Sequence, residues 1–263
     1  YQKPAYLCIV KKHYLMKKLF LLLSVLLYSI SAISQEYYEI RTYTMKFRGN
    51  TAILENYLSK ALIPALNKYG VSKVGVFKDL GKPEPAVLVV AIPFANLEAY
   101  AGYKDALAKD ANYLDAAKTY FEQVGMEKPL FEKISTYLAK GFTGHPTMKL
   151  PVTNPGRVYE WRTYEAYNED ALRRKVAMFN DDELKIFDRV GLHNVFFGEA
   201  LAGENTPCLT YMVAFENMAE RDANWAKFGA DADWKRIVND PRYINSHSKT
   251  VRRFLEPTPY SQW

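Results

Sequence analysis

Tyr38-Glu39-Ile40-Arg41-Thr42-Tyr43 recurs along the chain as Tyr159-Glu160-Trp161-Arg162-Thr163-Tyr164, a shift of 121 residues. The same shift pairs Gly70 with Gly191, Val74 with Val195, Leu88 with Leu209, Phe94 with Phe215, Asn96 with Asn217, and Asp110-Ala111 with Asp231-Ala232. No gap is needed between Tyr38 and Ala111. A chance match would not hold register over that distance, so the chain carries an internal duplication. The reading divides it into an upstream extension and leader (1–34), a first repeat (35–150) and a second repeat (151–263). Thr153-Asn154-Pro155-Gly156, rich in turn formers, marks the junction.

Each copy reads as strand, helix, two strands, helix, strand. Glu39–Lys46 alternates in a strand-like way, as does Val158–Tyr167. Leu54, Tyr57, Leu58, Ala61, Leu62 and Leu66 follow at helical spacing until Gly70, and Pro64 is expected to kink that helix because it has no N–H to donate. Val71–Phe77 and Ala86–Pro93 read as strands, with counterparts Leu192–Gly198 and Cys208–Phe215. Asn96 and Asn217 are placed to cap the second helices, and Phe131–Leu138 and Lys249–Leu255 close the copies. This order is α+β, two tandem ferredoxin-like βαββαβ units. Such a unit leaves one sheet face bare, and the copies are expected to cover each other as an intramolecular barrel.

The doubled Tyr-Glu-x-Arg-Thr-Tyr motif and the closing Phe254-Leu255-Glu256-Pro257-Thr258-Pro259-Tyr260-Ser261 resemble the NIPSNAP family, of the dimeric α/β-barrel superfamily, over essentially residues 37–262. The resemblance implies the barrel fold. It implies no single chemistry, since barrels of this kind serve monooxygenases, haem enzymes and isomerases alike.

Composition narrows the field from another side. The 263 residues are 49% apolar and 14% aromatic, which is globular, with a formal net charge of +6. Five lysines and no acidic residue lie in 1–34; without them the chain has 30 basic and 29 acidic residues. That near-neutrality argues against a nucleic-acid partner. Met16-Lys17-Lys18, the apolar run Leu19–Ile30 and Ser31-Ala32-Ile33-Ser34 have the order of a secretory signal peptide, with cleavage expected after Ser34. The run is shorter than the roughly 20 residues of a membrane span. The mature chain is therefore expected to be exported, periplasmic or secreted, with no stable membrane span, and further self-association is open. Residues 1–15 precede Met16 and are expected to lie upstream of the start of translation. Cleavage would leave Cys208 as the one cysteine, expected to be a small buried strand residue.

The candidate site is Glu39, Arg41, Tyr43 with Glu160, Arg162, Tyr164. Residues at i, i+2 and i+4 share a strand face. The opposite face, Tyr38, Ile40, Thr42 and Tyr159, Trp161, Thr163, suits packing under helices, so the charged triplets are expected to point into the barrel. There they could hold a polar ligand or form an ion pair that fills the interior and sets register. His193, aligned with Ser72, joins the candidates as a general base or haem ligand, although a hydrogen-bonded strand histidine is the better fit; His145 and His247 read as surface residues. Tyr100, Tyr103, Tyr113, Tyr120, Trp225 and Trp234 fall at helical spacings and read as packing. No His/Asp/Glu grouping has metal-ligand spacing, and no phosphate loop or nucleophile elbow occurs. No cofactor or metal is expected, and no residue stands out as catalytic. The reading is a module binding a small molecule or partner in the inter-sheet cavity; the alternative is a cofactor-independent monooxygenase or isomerase using Tyr, Glu and Arg there.

Overall fold

The strand pairings keep the 121-residue register that the sequence displays. β1 (Tyr37–Met45) pairs with β3 (Val87–Phe94) so that Glu39 faces Ile92 and Arg41 faces Val90; β5 (Val158–Glu165) pairs with β7 (Cys208–Phe215) so that Glu160 faces Val213 and Arg162 faces Tyr211. The computed structural model describes residues 34–122 and 129–263, so the basic and apolar parts of the leader lie outside the described residues. Residues 35–263 form one compact unit.

The first repeat runs β1, α1 (Ala52–Tyr57), a π-helical turn (Leu58–Leu62), α2 (Ile63–Lys68), β2 (Gly75–Asp79), β3, α3 (Leu97–Ala108), α4 (Ala111–Glu122) and β4 (Phe131–Gly141). The second runs β5, α5 (Glu169–Met178), a π turn (Phe179–Glu183), α6 (Leu184–Val190), β6 (His193–Ala202), β7, α7 (Met218–Ala230), α8 (Ala232–Ile237) and β8 (Lys249–Pro257). The first helix of each copy is thus interrupted by a π turn at equivalent positions, 58–62 and 179–183. Pro64 sits just after it in the first repeat, yet Lys185 occupies that place in the second, so proline is not its common cause. Gly70 (φ +94°) and Gly191 (φ +80°) end these helices in the left-handed region that favours glycine.

The eight strands close into one barrel in the order β1-β3-β2-β8-β5-β7-β6-β4. The opening strands are central in each half, β1 between β3 and β4, β5 between β7 and β8. The halves join edge to edge, β2 to β8 and β4 to β6. Closure removes every free sheet edge that a lone ferredoxin-like unit would expose.

Eight strands leave an interior just wide enough for side chains. Tyr38, Ile40, Phe77, Val89, Ala91, Tyr159, Trp161, Val195, Phe196, Met212, Ala214 and Leu255 form one buried cluster drawn from seven strands and no helix. Tyr38 packs 4.9 Å from Phe196, and Phe77 meets Tyr159 edge-on at 5.0 Å. At the same end Trp263 plugs the lumen, its ring 5.4 Å from Phe77 and its indole N–H donating to the Lys73 carbonyl. At the other end Thr42, Tyr137, Trp161, Thr163 and Cys208 line a recess of about 180 Å³. Cys208 is 2% exposed, and burial pushes its thiol up to about 11, which fits a buried strand residue.

The expectation that the charged triplets point into the barrel is therefore overturned. The aromatic face of β1 and β5 fills the lumen, and Glu39, Arg41, Tyr43, Glu160, Arg162 and Tyr164 lie on the outer face beneath the helices. The physical reason is volume: a tightly filled lumen takes large apolar rings well and has little room for hydrated or paired charges.

Candidate functional site

The two outer faces are built alike and completed differently. On each, an Asn caps the helix that crosses the opening strand: Asn96 accepts from the Ala99 N–H at 2.8 Å and Asn217 from the Glu220 N–H at 3.0 Å. These caps fix the registers of α3 and α7 over Glu39 and Glu160.

In the second repeat Glu160 is fully buried and every oxygen is engaged. Oε1 accepts from Arg162 Nε (2.7 Å) and an Arg221 guanidinium nitrogen (3.1 Å); Oε2 accepts from Arg221 Nε (2.7 Å) and Trp225 Nε1 (2.7 Å). Burial alone would raise its pKa, but the two guanidiniums outweigh it and hold the carboxyl below the ordinary value. Around it, Arg162 donates to the Tyr164 hydroxyl (3.3 Å), which lies 2.8 Å from the Tyr211 hydroxyl. Lys175 and Glu183, exposed by only 4% and 1%, pair at 2.8 Å. The second face is closed upon itself.

In the first repeat Arg41 Nε donates to Glu39 Oε1 at 2.6 Å and its terminal nitrogen to the Tyr103 hydroxyl at 2.7 Å. Glu39 is 1% exposed, yet no donor among the described residues reaches its Oε2. The Tyr103 hydroxyl lies within weak hydrogen-bonding reach of the Glu39 carboxylate as well as of Arg41, but makes no well-aligned bond to Oε2. The 121-residue shift places Tyr100 at the position of Arg221, Lys104 at that of Trp225, Val90 at that of Tyr211, and Leu54 and Leu62 at those of Lys175 and Glu183. The side chains that saturate Glu160 are absent from these positions around Glu39.

What stands there instead is a cavity of about 460 Å³ between sheet and helices. Glu39, Arg41 and Tyr43 form its floor, Tyr57, Tyr103, Tyr113 and Tyr120 its walls, and the exposed Lys104, Leu114, Phe121 and Ile134 its rim. Tyr57 stacks on Tyr120 at 3.9 Å and its hydroxyl lies 3.0 Å from that of Tyr113, so the walls brace one another. Burial works against the Arg41 charge, but facing Tyr43, Glu39 and Tyr103 outweigh it and hold its pKa well above the ordinary arginine value. Burial pushes the phenols of Tyr57, Tyr103, Tyr113 and Tyr120 up, so they act as neutral hydrogen-bonding groups.

Of the residues singled out in the sequence, Glu39, Arg41 and Tyr43 come together in the cavity, while Glu160, Arg162 and Tyr164 form the closed counterpart. His193 does neither; its Nε2 lies 3.0 Å from Glu220 at the start of β6. His145, expected at the surface, is 5% exposed with Nε2 3.1 Å from the Val195 carbonyl, and its pKa is lowered by burial. His247 is exposed and stacks on Tyr164 at 5.1 Å. Tyr103, Tyr113 and Tyr120, read as packing residues, also wall the cavity; Tyr57, Lys104, Arg221 and Trp225 complete the contrast. The signal that could have found them was present in the duplication, in the Lys104/Trp225 and Tyr100/Arg221 mismatches. Among the described residues no group of His, Cys, Asp and Glu could hold a metal ion.

A closed eight-stranded barrel with paired helices outside, built from two ferredoxin-like halves, is a dimeric α/β barrel contained in one chain. The chain belongs to the NIPSNAP family, whose profile matches residues 38–130 and 159–262. Among solved structures, a putative monooxygenase from Lactobacillus acidophilus is similar at 11% identity and a TM-score of 0.54, covering 85% of this chain and 94% of that one. A putative monooxygenase from Fusobacterium nucleatum is similar at 8% identity and 0.53, covering 85% and 93%. An uncharacterized NIPSNAP-like domain protein from Burkholderia xenovorans is 17% identical, covering 41% of this chain and 90% of its own, with a TM-score of 0.38. A comparison with curated protein sequences finds no match.

Proposed function

We propose that this protein binds a small molecule in the first-repeat cavity, with Glu39 and Arg41 as polar anchors and the tyrosines as walls. The observation that carries the reading is the unpartnered Glu39 Oε2. Leaving a buried polar atom unpaired costs about 1–3 kcal/mol, and more for a charged group. The second repeat avoids that cost with Arg221 and Trp225, and a ligand donor would recover it in the first. A cavity of about 460 Å³ falls within the roughly 300–1,000 Å³ of small-molecule sites.

Catalysis is the second reading, supported by the same atom: a free carboxylate oxygen facing a cavity is a candidate general base. The fold likeness to two proteins named putative monooxygenases is compatible with it. The tyrosines with raised pKa are poorly suited to serve as bases there. Export belongs to the proposal through the leader order of Met16–Ser34. Native mass spectrometry of the protein purified from its own host tests binding directly. A retained small molecule, lost on Lys104→Trp, supports the reading; a bare chain that also binds nothing from a host small-molecule extract sinks it.

A further inference from the structure

The geometry points to the chemical class of the ligand: a planar aromatic ring with an N–H or O–H donor on its edge, lodged against Arg41 and donating to Glu39 Oε2. This rests on the binding reading above and deepens it. The second repeat supplies the template from its own chain. There the Trp225 ring lies with its centre 3.6 Å from the Arg162 guanidinium carbon while its N–H reaches Glu160 Oε2 at 2.7 Å. Stacking satisfies the guanidinium face and the edge donor satisfies the carboxylate, so one flat group answers both charges. The strand that carries the acid and the base keeps the same register in both repeats, so Glu39 and Arg41 present the same pair of demands.

In the first repeat no ring comes as close to the guanidinium: the Tyr103 ring centre stands 5.8 Å from the Arg41 guanidinium carbon, and Tyr103 meets Arg41 through its hydroxyl instead. Lys104 replaces Trp225 and is exposed at the cavity rim, and Tyr100 replaces Arg221 and turns edge-on to Phe94 at 5.5 Å. The vacant demand is therefore the one an indole meets next door. The walls agree with it: Tyr57, Tyr103, Tyr113 and Tyr120 offer aromatic faces and hydroxyls, and no further buried charge faces a ligand. A saturated polyol would leave the ring faces unused, and an anion would meet the unpaired carboxylate oxygen.

The test titrates the full chain with indole and with indene, which has the same bicyclic outline and a CH2 in place of the N–H. Ligand-observed NMR reads both affinities for the native chain and for Lys104→Trp, a substitution at an exposed position that installs the second repeat's ring. Indole is expected to bind at least tenfold more tightly than indene, and Lys104→Trp to abolish indole binding. Equal affinities would overturn the edge-donor class while leaving the cavity reading standing. Indole binding untouched by Lys104→Trp would overturn the assignment of this ligand to this cavity. Failure of indole to bind, with a non-aromatic molecule retained from the host, would reject the class alone. Failure of both probes with nothing retained would reject class and binding reading together.

Discussion

The guanidinium carbon of Arg162 stands 3.6 Å from the centre of the Trp225 indole, and that indole donates to the same carboxylate, Glu160, that Arg162 binds. The first repeat keeps the arginine and the carboxylate, as Arg41 and Glu39, and replaces the tryptophan by Lys104. One duplicated framework thus yields a closed face and an open one, and the difference can be moved by mutation.

Lys104→Trp should raise stability, because the new ring fills cavity volume and its N–H meets Glu39 Oε2. Burying an aromatic ring and satisfying one buried acceptor together contribute about 1–3 kcal/mol. At this chain length that corresponds to roughly 2–12 °C in Tm, read by scanning calorimetry. A lowered Tm would mean that α3 does not place position 104 as α7 places Trp225.

Arg41→Met should destabilise by about 3–5 kcal/mol in chemical unfolding, since it strands Glu39, whose described hydrogen-bonding partner is Arg41. Adding Glu39→Leu should recover much of the loss. Arg162→Met should cost less, about 1–2 kcal/mol, because Glu160 keeps Arg221 and Trp225. Equal losses at the two arginines would contradict the open-against-closed contrast.

Stability should fall as pH drops below about 6.5, through the buried His145. Burial depresses its folded pKa below the ordinary 6.5, so the folded state resists the proton that the unfolded chain accepts. Above 6.5 both states are neutral and nothing is lost; below it each pH unit costs up to about 1.4 kcal/mol until the folded pKa is reached. Denaturant titrations between pH 7.5 and 5.5 should show this slope, flattened in His145→Gln. His247, lowered by burial and by Lys175, adds a remainder of the same sign.

Residues 35–150 expressed alone should self-associate or precipitate. Separation frees the β2 and β4 edges that pair with β8 and β6, and uncovers Tyr38, Ile40 and Phe77 from the lumen. A monomeric, cooperatively folding fragment in sedimentation experiments would show that the halves do not depend on each other.

The sequence by itself determined the duplication, the βαββαβ order and the Asn96 and Asn217 caps. All of these rest on local spacing or on self-comparison, which need no knowledge of distant partners. It also placed Glu39, Arg41 and Tyr43 on one strand face. Only the tertiary structure decided which face looks where. Both faces of β1 and β5 are buried, one by the opposite strands and one by helices, so alternation divides the residues into two sets without ordering them. Barrel closure breaks the tie, because its narrow lumen takes the rings of Tyr38, Tyr159, Trp161 and Phe196 and leaves the paired charges to the wider layer under the helices. The orphan oxygen of Glu39 was likewise beyond the sequence. Its vacancy depends on which α3 side chain hangs over β1, a distance set by helix packing and not by residue order.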